Sequence, residues 1–127
     1  MSIQLWDGNI NDFYSTNMNN YQFINSLIKE LNNNDKFSDL VGTINWSLDT
    51  TNYDTLNRFA YQQLINNAII LKTNLPSLVE TVRVQDYQWQ CPVFTVPDMS
   101  FDKDKINSFW SAVNETLTFI LGQLTYL

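Results

Sequence analysis

The sequence predicts an α+β fold, in which a small, mainly antiparallel sheet of about three to four strands packs against about three amphipathic helices. Two kinds of periodicity support this prediction. Apolar residues recur at three- and four-residue steps in some stretches, and they alternate with polar residues in others. With 127 residues and no internal repeat or linker, the chain (residues 1–127) is expected to form a single globular domain.

The first quarter of the chain predicts a turn followed by a helix. The dipeptide Asp7-Gly8 either joins two short strands or turns an N-terminal arm. Apolar residues at helical spacing predict a helix over 18–33, with Ser15 or Thr16 as its N-cap. The polar run Asn32–Asp35 is expected to end this helix, because short polar side chains compete for backbone hydrogen bonds.

A short helical turn and a strand come next. Apolar residues within 37–41 suggest one further helical turn, which Gly42 stops. Over 43–48, apolar and polar residues alternate, and this pattern predicts a half-buried strand. A turn or loop is then expected at Asp49–Asn52.

A second long helix is predicted over 55–72, with Asp54 as its N-cap. Its end is assigned before Pro76, because the residue that precedes a proline avoids helical geometry. The predicted buried stripe is Leu56, Phe59, Ala60, Leu64, Ala68 and Leu71, broadened by Ile65 and Ile69.

Residues 78–96 predict two strands. They are rich in Val and aromatic residues, and the alternation changes phase at Gln85-Asp86, which suggests a turn or bulge. Pro92 has no N–H, so the second of these strands is expected at a sheet edge or is expected to break there.

The last predicted helix covers 103–124, with Ser100 or Asp102 as its cap. It shows the most continuous apolar stripe in the chain. The stripe consists of Ile106, Phe109, Trp110, Val113, Leu117, Ile120, Leu121 and Leu124.

Composition argues against most catalytic and metal chemistry. The chain contains no histidine, one cysteine and seventeen asparagines, so the usual acid–base group and the usual zinc ligands are absent or alone. Cys91 is interpreted as a structural thiol, because no histidine can activate it. We therefore predict no enzyme activity, no catalytic residues, no cofactor and no metal site.

The net charge of −6 argues against binding duplex nucleic acid through a basic surface. The chain contains no stretch of 18 apolar residues, so no membrane span is predicted. The N-terminus lacks the pattern of a secretory signal. The protein is therefore expected in the cytoplasm or in a particle assembled there.

Four aromatic residues are candidates for a protein interface. Phe109 and Trp110 belong either to the core or to a contact surface, since large aromatic residues dominate interface energetics. Tyr87 and Trp89 lie near Arg83, which also suggests single-strand nucleic acid binding, although burial of Trp89 with Trp46 and Trp110 is favoured. The chain has more apolar aromatic surface than one small core obviously needs, so we expect a protein partner or self-association.

The asparagine content, small size and lack of enzyme motifs resemble proteins encoded by AT-rich phages and mobile elements. The stretch 54–84 is similar in layout to small phage baseplate-wedge proteins, but their acidic and arginine signature is absent, so no residue roles are transferred. The first functional hypothesis is a non-enzymatic assembly protein, such as a phage tail, neck or baseplate component, that acts through protein contacts. The alternative is a small acidic inhibitor of a host defence protein. A small-ligand binder is the third hypothesis.

Overall fold

This computed structural model describes residues 2–42, 44, 46–48 and 57–127, and all regular secondary structure in these ranges is helical. The α-helices are α1 (Phe13–Asn32), α2 (Asp35–Val41), α3 (Asn57–Val82) and α4 (Lys103–Gln123). Short 3-10 helices occupy Ile10–Asp12 and Leu124–Tyr126. No strand occurs in the described ranges, so the predicted α+β fold with an antiparallel sheet is wrong.

The first predicted helix is confirmed, but it begins earlier than expected. Asn9 caps the 3-10 turn by accepting a hydrogen bond from the Asn11 amide at 3.0 Å, and this turn continues directly into α1. The predicted caps Ser15 and Thr16 therefore lie inside α1. Asp7-Gly8 turns an N-terminal arm, with Gly8 at a positive φ of 89°, and does not join two strands.

Three other predicted helix ends are confirmed. Helix α1 ends within the polar run Asn32–Asp35, as predicted. The Asn34 side chain then caps α2 by accepting from the amides of Lys36 at 2.9 Å and Phe37 at 3.4 Å. Gly42 ends α2 with a φ of 73°, a conformation that glycine adopts without strain. Asp102 caps α4 by accepting from the Lys105 amide at 3.0 Å.

Helix α3 continues through Pro76 to Val82, so the helix end predicted before Pro76 and the strand predicted over 78–84 are both wrong. A proline inside a helix costs about 3 kcal/mol relative to alanine. Beyond Pro76 the helix buries Leu78, Val79 and Val82, and each buried side chain contributes about 1.5–3 kcal/mol. Burial therefore outweighs the proline, which lies on the exposed side of α3.

The other predicted strands are irregular segments without a sheet. Residues 44 and 46–48 form no ladder, whereas Thr43, Asn45 and the predicted features over 49–56, including the Asp54 cap, lie outside the described residues. Residues 87–96 lack regular structure as well. Alternation in both cases reflects an extended chain that packs one side on helices.

At residues 44 and 48, asparagine side chains take the place of a neighbouring strand. A side-chain amide has a donor and an acceptor, so it can pair with both backbone groups of one residue, as in an antiparallel sheet. On α1, Asn32 pairs in this way with Ile44 (2.6 and 3.2 Å), and Asn25 pairs with Leu48 (2.7 and 3.2 Å). The sequence from 44 to 48 thus runs back along α1.

The N-terminal arm is held by the same pairing of an asparagine side-chain amide with both backbone groups of one residue. Asn20 on α1 accepts from the Gln4 amide at 2.8 Å and donates to the Gln4 carbonyl at 3.0 Å. Asn107 on α4 pairs with both backbone groups of Trp6, each at 2.8 Å. The arm therefore joins α1 to α4.

The three long helices run in the same direction. Near their starts, the rings of Phe13, Tyr61 and Phe101 meet, with centroid distances of 5.4 Å from Phe13 to each of the others and 4.1 Å between Tyr61 and Phe101. At their far ends, Gln123 of α4 accepts from the amide of Val84, just after α3, at 2.8 Å. Extended segments must therefore run back along the helices, and the segment 83–102 does so along α4.

Candidate interaction surfaces

The structure places two of the four predicted interface residues in the core. Phe109 and Trp110 are both buried on α4. The Trp110 indole N–H donates to Asn17 Oδ1 at 3.0 Å, and its ring makes an edge contact with Tyr21 at 5.5 Å. Trp110 therefore anchors α4 to α1, and the Phe109 ring packs beside it with centroids 5.4 Å apart.

The other two predicted residues lie at the start of segment 83–102. Trp89 is half-buried and stacks on Phe119 of α4, with ring centroids 3.9 Å apart and planes 4° apart. It does not stack with Trp110, which packs elsewhere on α4. Tyr87 is 73% exposed and is therefore available for contact.

Arg83 forms the centre of this aromatic corner. Both of its terminal guanidinium nitrogens make hydrogen bonds, whereas its Nε is buried without a hydrogen-bond partner. One guanidinium nitrogen, Nη1, donates to the carbonyls of Trp89 at 2.7 Å and Asp86 at 3.3 Å. Nη2 pairs with Glu80 at 3.3 Å, and the guanidinium carbon lies 5.5 Å from the Phe119 ring centroid. The side chain is 9% exposed, so Arg83 and one face of Trp89 serve the fold and offer little to a nucleic acid.

Cys91 is a free, half-buried thiol beside this corner. Burial raises its pKa, and a hydrogen bond with Thr116 acts in the opposite direction. A thiol with a raised pKa is mostly protonated near neutral pH and is a poor nucleophile. The surroundings of Cys91 therefore do not activate its thiol as a nucleophile.

Acidic residues gather where α1 and α4 begin. The Asp98 carboxylate pairs with Lys105 at 3.1 Å; hydrogen bonds from Ser100 and this lysine lower the Asp98 pKa to about 2. A hydrogen bond with Asp7 and the charge of that residue raise the Asp12 pKa. In the part of the chain that the structure describes, no group of three Cys, Asp or Glu side chains is placed to hold a metal ion.

An extended stretch within segment 83–102 leaves its backbone unpaired. Trp89 stacks on Phe119, whereas Val93 lines a cavity with Phe109, which lies about 15 Å earlier along α4. Four residues of extended chain span about 13 Å, so the backbone from Trp89 to Val93 is close to fully extended. The N–H and C=O groups of residues 93–96 make no hydrogen bond with the described residues. We call residues 93–96 the open strand.

The open strand has an inner and an outer side. Phe94 is buried, whereas Thr95 is exposed and Val93 is 88% exposed, the most exposed of the large apolar residues described. Beside the outer side lies a cavity of about 300 Å³. Its lining is Val93, Thr95, Asp104, Lys105, Ser108 and Phe109.

Sequence reasoning missed Val93 as a surface residue, although alternation with Phe94 was a usable signal. Residues 93 and 94 point to opposite sides of an extended chain, so burial of the larger Phe94 exposes Val93. Phe59 and Ile69 were also assigned to the buried stripe of the second helix. They are 57% and 51% exposed, on the side of α3 opposite the core.

The chain matches no protein-family model, no curated protein and no solved structure. Within the described ranges, no helix is long and apolar enough to cross a membrane.

Proposed function

We propose that this protein is non-enzymatic and acts by binding another polypeptide along the open strand. The observation that supports this proposal is the set of unpaired backbone groups of residues 93–96 next to the 88% exposed side chain of Val93. Unpaired extended backbone is a template for a strand from another chain. In such complexes main-chain hydrogen bonds supply affinity and pockets for alternate side chains supply specificity.

Two prolines limit how much of a partner this site can hold. Pro92 and Pro97 stand on either side of the open strand, and neither has an N–H to donate. The pairing surface is therefore about four residues long. A partner of this kind is an extended peptide with few charges, because the open strand itself, Val-Phe-Thr-Val, carries none.

The adjoining cavity supplies a place for one partner side chain. Its volume of about 300 Å³ accommodates an aliphatic or aromatic side chain against Val93 and Phe109. Lys105 and Asp104 lie at the same cavity, and Lys105 is already paired with Asp98 at 3.1 Å. An apolar partner side chain thus fits this cavity better than a charged one.

A site-specific photo-cross-linker tests the proposal in the cell that makes the protein. We expect a cross-linker at Val93 to form one discrete adduct, and a matched cross-linker at Tyr126, which is also exposed, to form none. Thr95→Pro and Val96→Pro each remove one N–H, from opposite edges of the open strand. One of these two variants should abolish the adduct.

Hydrogen exchange then decides whether the contact is strand pairing. The partner segment recovered from the adduct should slow exchange of alternate amides within residues 93–96. The absence of a Val93-specific adduct, or a partner that leaves all four amides exchanging at the free rate, would contradict the proposal.

A further inference from the structure

The outer side of α3 carries an exposed stripe with a regular spacing. Its residues follow one another at alternating steps of three and four, the spacing of a seam between two packed helices. All of them are exposed, on the side of the helix opposite the buried Leu64. We call this set the outer stripe: Phe59, Gln62, Asn66, Ile69 and Thr73.

The outer stripe contains no charged residue. An exposed helix face usually carries charged side chains, and this chain has 20 of them. On α3 between its start and Val79, the charged residues are Arg58 and Lys72, which lie to one side of the stripe. Between Arg58 and Lys72, the stripe consists of two large apolar side chains and two amides, as expected for a contact surface.

The outer stripe is symmetric about residue 64. Phe59 and Ile69 lie five residues on either side of this position, and Gln62 and Asn66 lie two residues on either side. A two-fold axis beside residue 64 therefore places each Phe59 on Ile69 of a second, antiparallel copy of α3. The same operation places each Gln62 opposite Asn66 of the other copy. The outer stripe is therefore complementary to itself across the axis, which is the property that an isologous interface requires.

The central amides can pair across this axis. In the single chain, Gln62 Nε2 donates to Asn66 Oδ1 at 3.1 Å, and Asn66 Nδ2 donates to Gln63 Oε1 at 3.3 Å. These groups have further hydrogen-bonding capacity, because an amide offers two donor hydrogens and a carbonyl with two lone pairs. Asparagine in the seam of two packed helices is known to fix their register.

We infer that two copies of this chain associate through antiparallel packing of their α3 helices along the outer stripe. Pairing from Phe59 to Ile69 covers about 15 Å of helix, which is short for a permanent interface. The dimer is therefore reversible, with dissociation in the micromolar range or weaker. This inference is independent of the open strand, which lies in another segment.

Analytical ultracentrifugation over rising protein concentration tests the inference. The wild type should shift from monomer to dimer as its concentration rises from the micromolar to the millimolar range. Phe59→Glu and Ile69→Lys should each remain monomeric, since each places an unpaired charge in an apolar layer. A matched control is Leu40→Glu, which charges a 43% exposed leucine on α2 and should dimerise like the wild type.

The double variant Phe59→Glu/Ile69→Lys tests the register. In the antiparallel pairing each new glutamate faces a new lysine of the other copy, so dimerisation should return. Circular dichroism confirms that every variant keeps its helices. A wild type that stays monomeric, a Phe59→Glu variant that still dimerises, or a folded double variant that stays monomeric would each overturn the inference.

Discussion

The side chain of Asn107 holds both backbone groups of Trp6, 101 residues earlier in the chain. The Trp6 amide donates to Asn107 Oδ1 at 2.8 Å, and Asn107 Nδ2 donates to the Trp6 carbonyl at 2.8 Å. Asn20, Asn25 and Asn32 make the same two-way pairing with other segments. The backbone groups of Gln4, Trp6, Ile44 and Leu48 therefore pair with helix side chains, whereas those of residues 93–96 stay unpaired among the described residues.

Removing the Asn107 amide should loosen the N-terminal arm. Asn107→Ala leaves the two partly buried backbone groups of Trp6 without their partners, and we expect a loss of about 1–3 kcal/mol in the free energy of unfolding. Urea denaturation measures this change. Asn114→Ala on the same helix is the matched control and should change stability by less than about 0.5 kcal/mol. Equal losses for the two variants would refute the pairing role.

The contact between Asn17 and Trp110 should appear as an energetic coupling between α1 and α4. Asn17→Ala strands the buried indole N–H, whereas Trp110→Phe removes that N–H. The double variant should therefore be more stable than the sum of the two single losses predicts, by about 0.5–3 kcal/mol. A double-mutant cycle measured by denaturation gives this value, and simple additivity would contradict the prediction.

Pro76 should limit the stability of α3. Pro76→Ala restores a backbone donor at an exposed position inside the helix, and we expect the free energy of unfolding to rise by about 1–3 kcal/mol. Thermal denaturation should show a higher Tm. Ser77→Ala, at the exposed position next to it, should give a much smaller change. A lower Tm for Pro76→Ala would show that the helix is built around the proline.

Asp86 has a positive φ of 55°, a backbone conformation that glycine adopts more easily than other residues do. Its carbonyl accepts from the Trp89 amide at 3.1 Å and from Arg83, so the conformation is held in place. We expect Asp86→Gly to be more stable than Asp86→Ala by about 1 kcal/mol. Paired urea titrations of the two variants test this order, and the reverse order would argue against strain at this turn.

Tyr61 should make the fold sensitive to alkaline pH. Burial raises the pKa of Tyr61 to about 12 from a usual value of 10.0, with the Phe101 amide acting in the opposite direction. Between pH 10 and 12 the unfolded chain releases this proton before the folded protein does, so stability falls as pH rises. Tyr61→Phe should show a smaller loss over that window. Identical pH profiles for both proteins would exclude Tyr61 as the cause.

The sequence predicted those features that depend on neighbouring residues. Helical periodicity identified α1 and α4, and Asp102 and Gly42 were recognised as helix-end residues because their side-chain chemistry or backbone freedom acts locally. The continuation of α3 was also encoded locally, since Leu75, Leu78, Val79 and Val82 have helical spacing. The presence of Pro76 and of β-branched valines outweighed that signal in the sequence prediction.

Surface residues were harder to predict than helices. Phe109 and Trp110 were candidate contact residues, and burial on α4 assigned them to the core. Phe59 and Ile69 were assigned to the core and are exposed. Periodicity shows which residues share a face of a helix, but a helix with apolar residues on two faces does not reveal which face is covered.

The amino-acid sequence alone determined the positions of α1 and α4, the helix ends at Gly42 and Asp102, and the scarcity of catalytic and metal-binding groups. Tertiary structure decided what the alternating segments do. Alternation shows only that an extended chain buries one side, and either a strand or an asparagine amide satisfies its backbone groups equally well. The pairing of Asn107 with Trp6 and of Asn25 with Leu48 depends on contacts between distant parts of the chain, which no local pattern records.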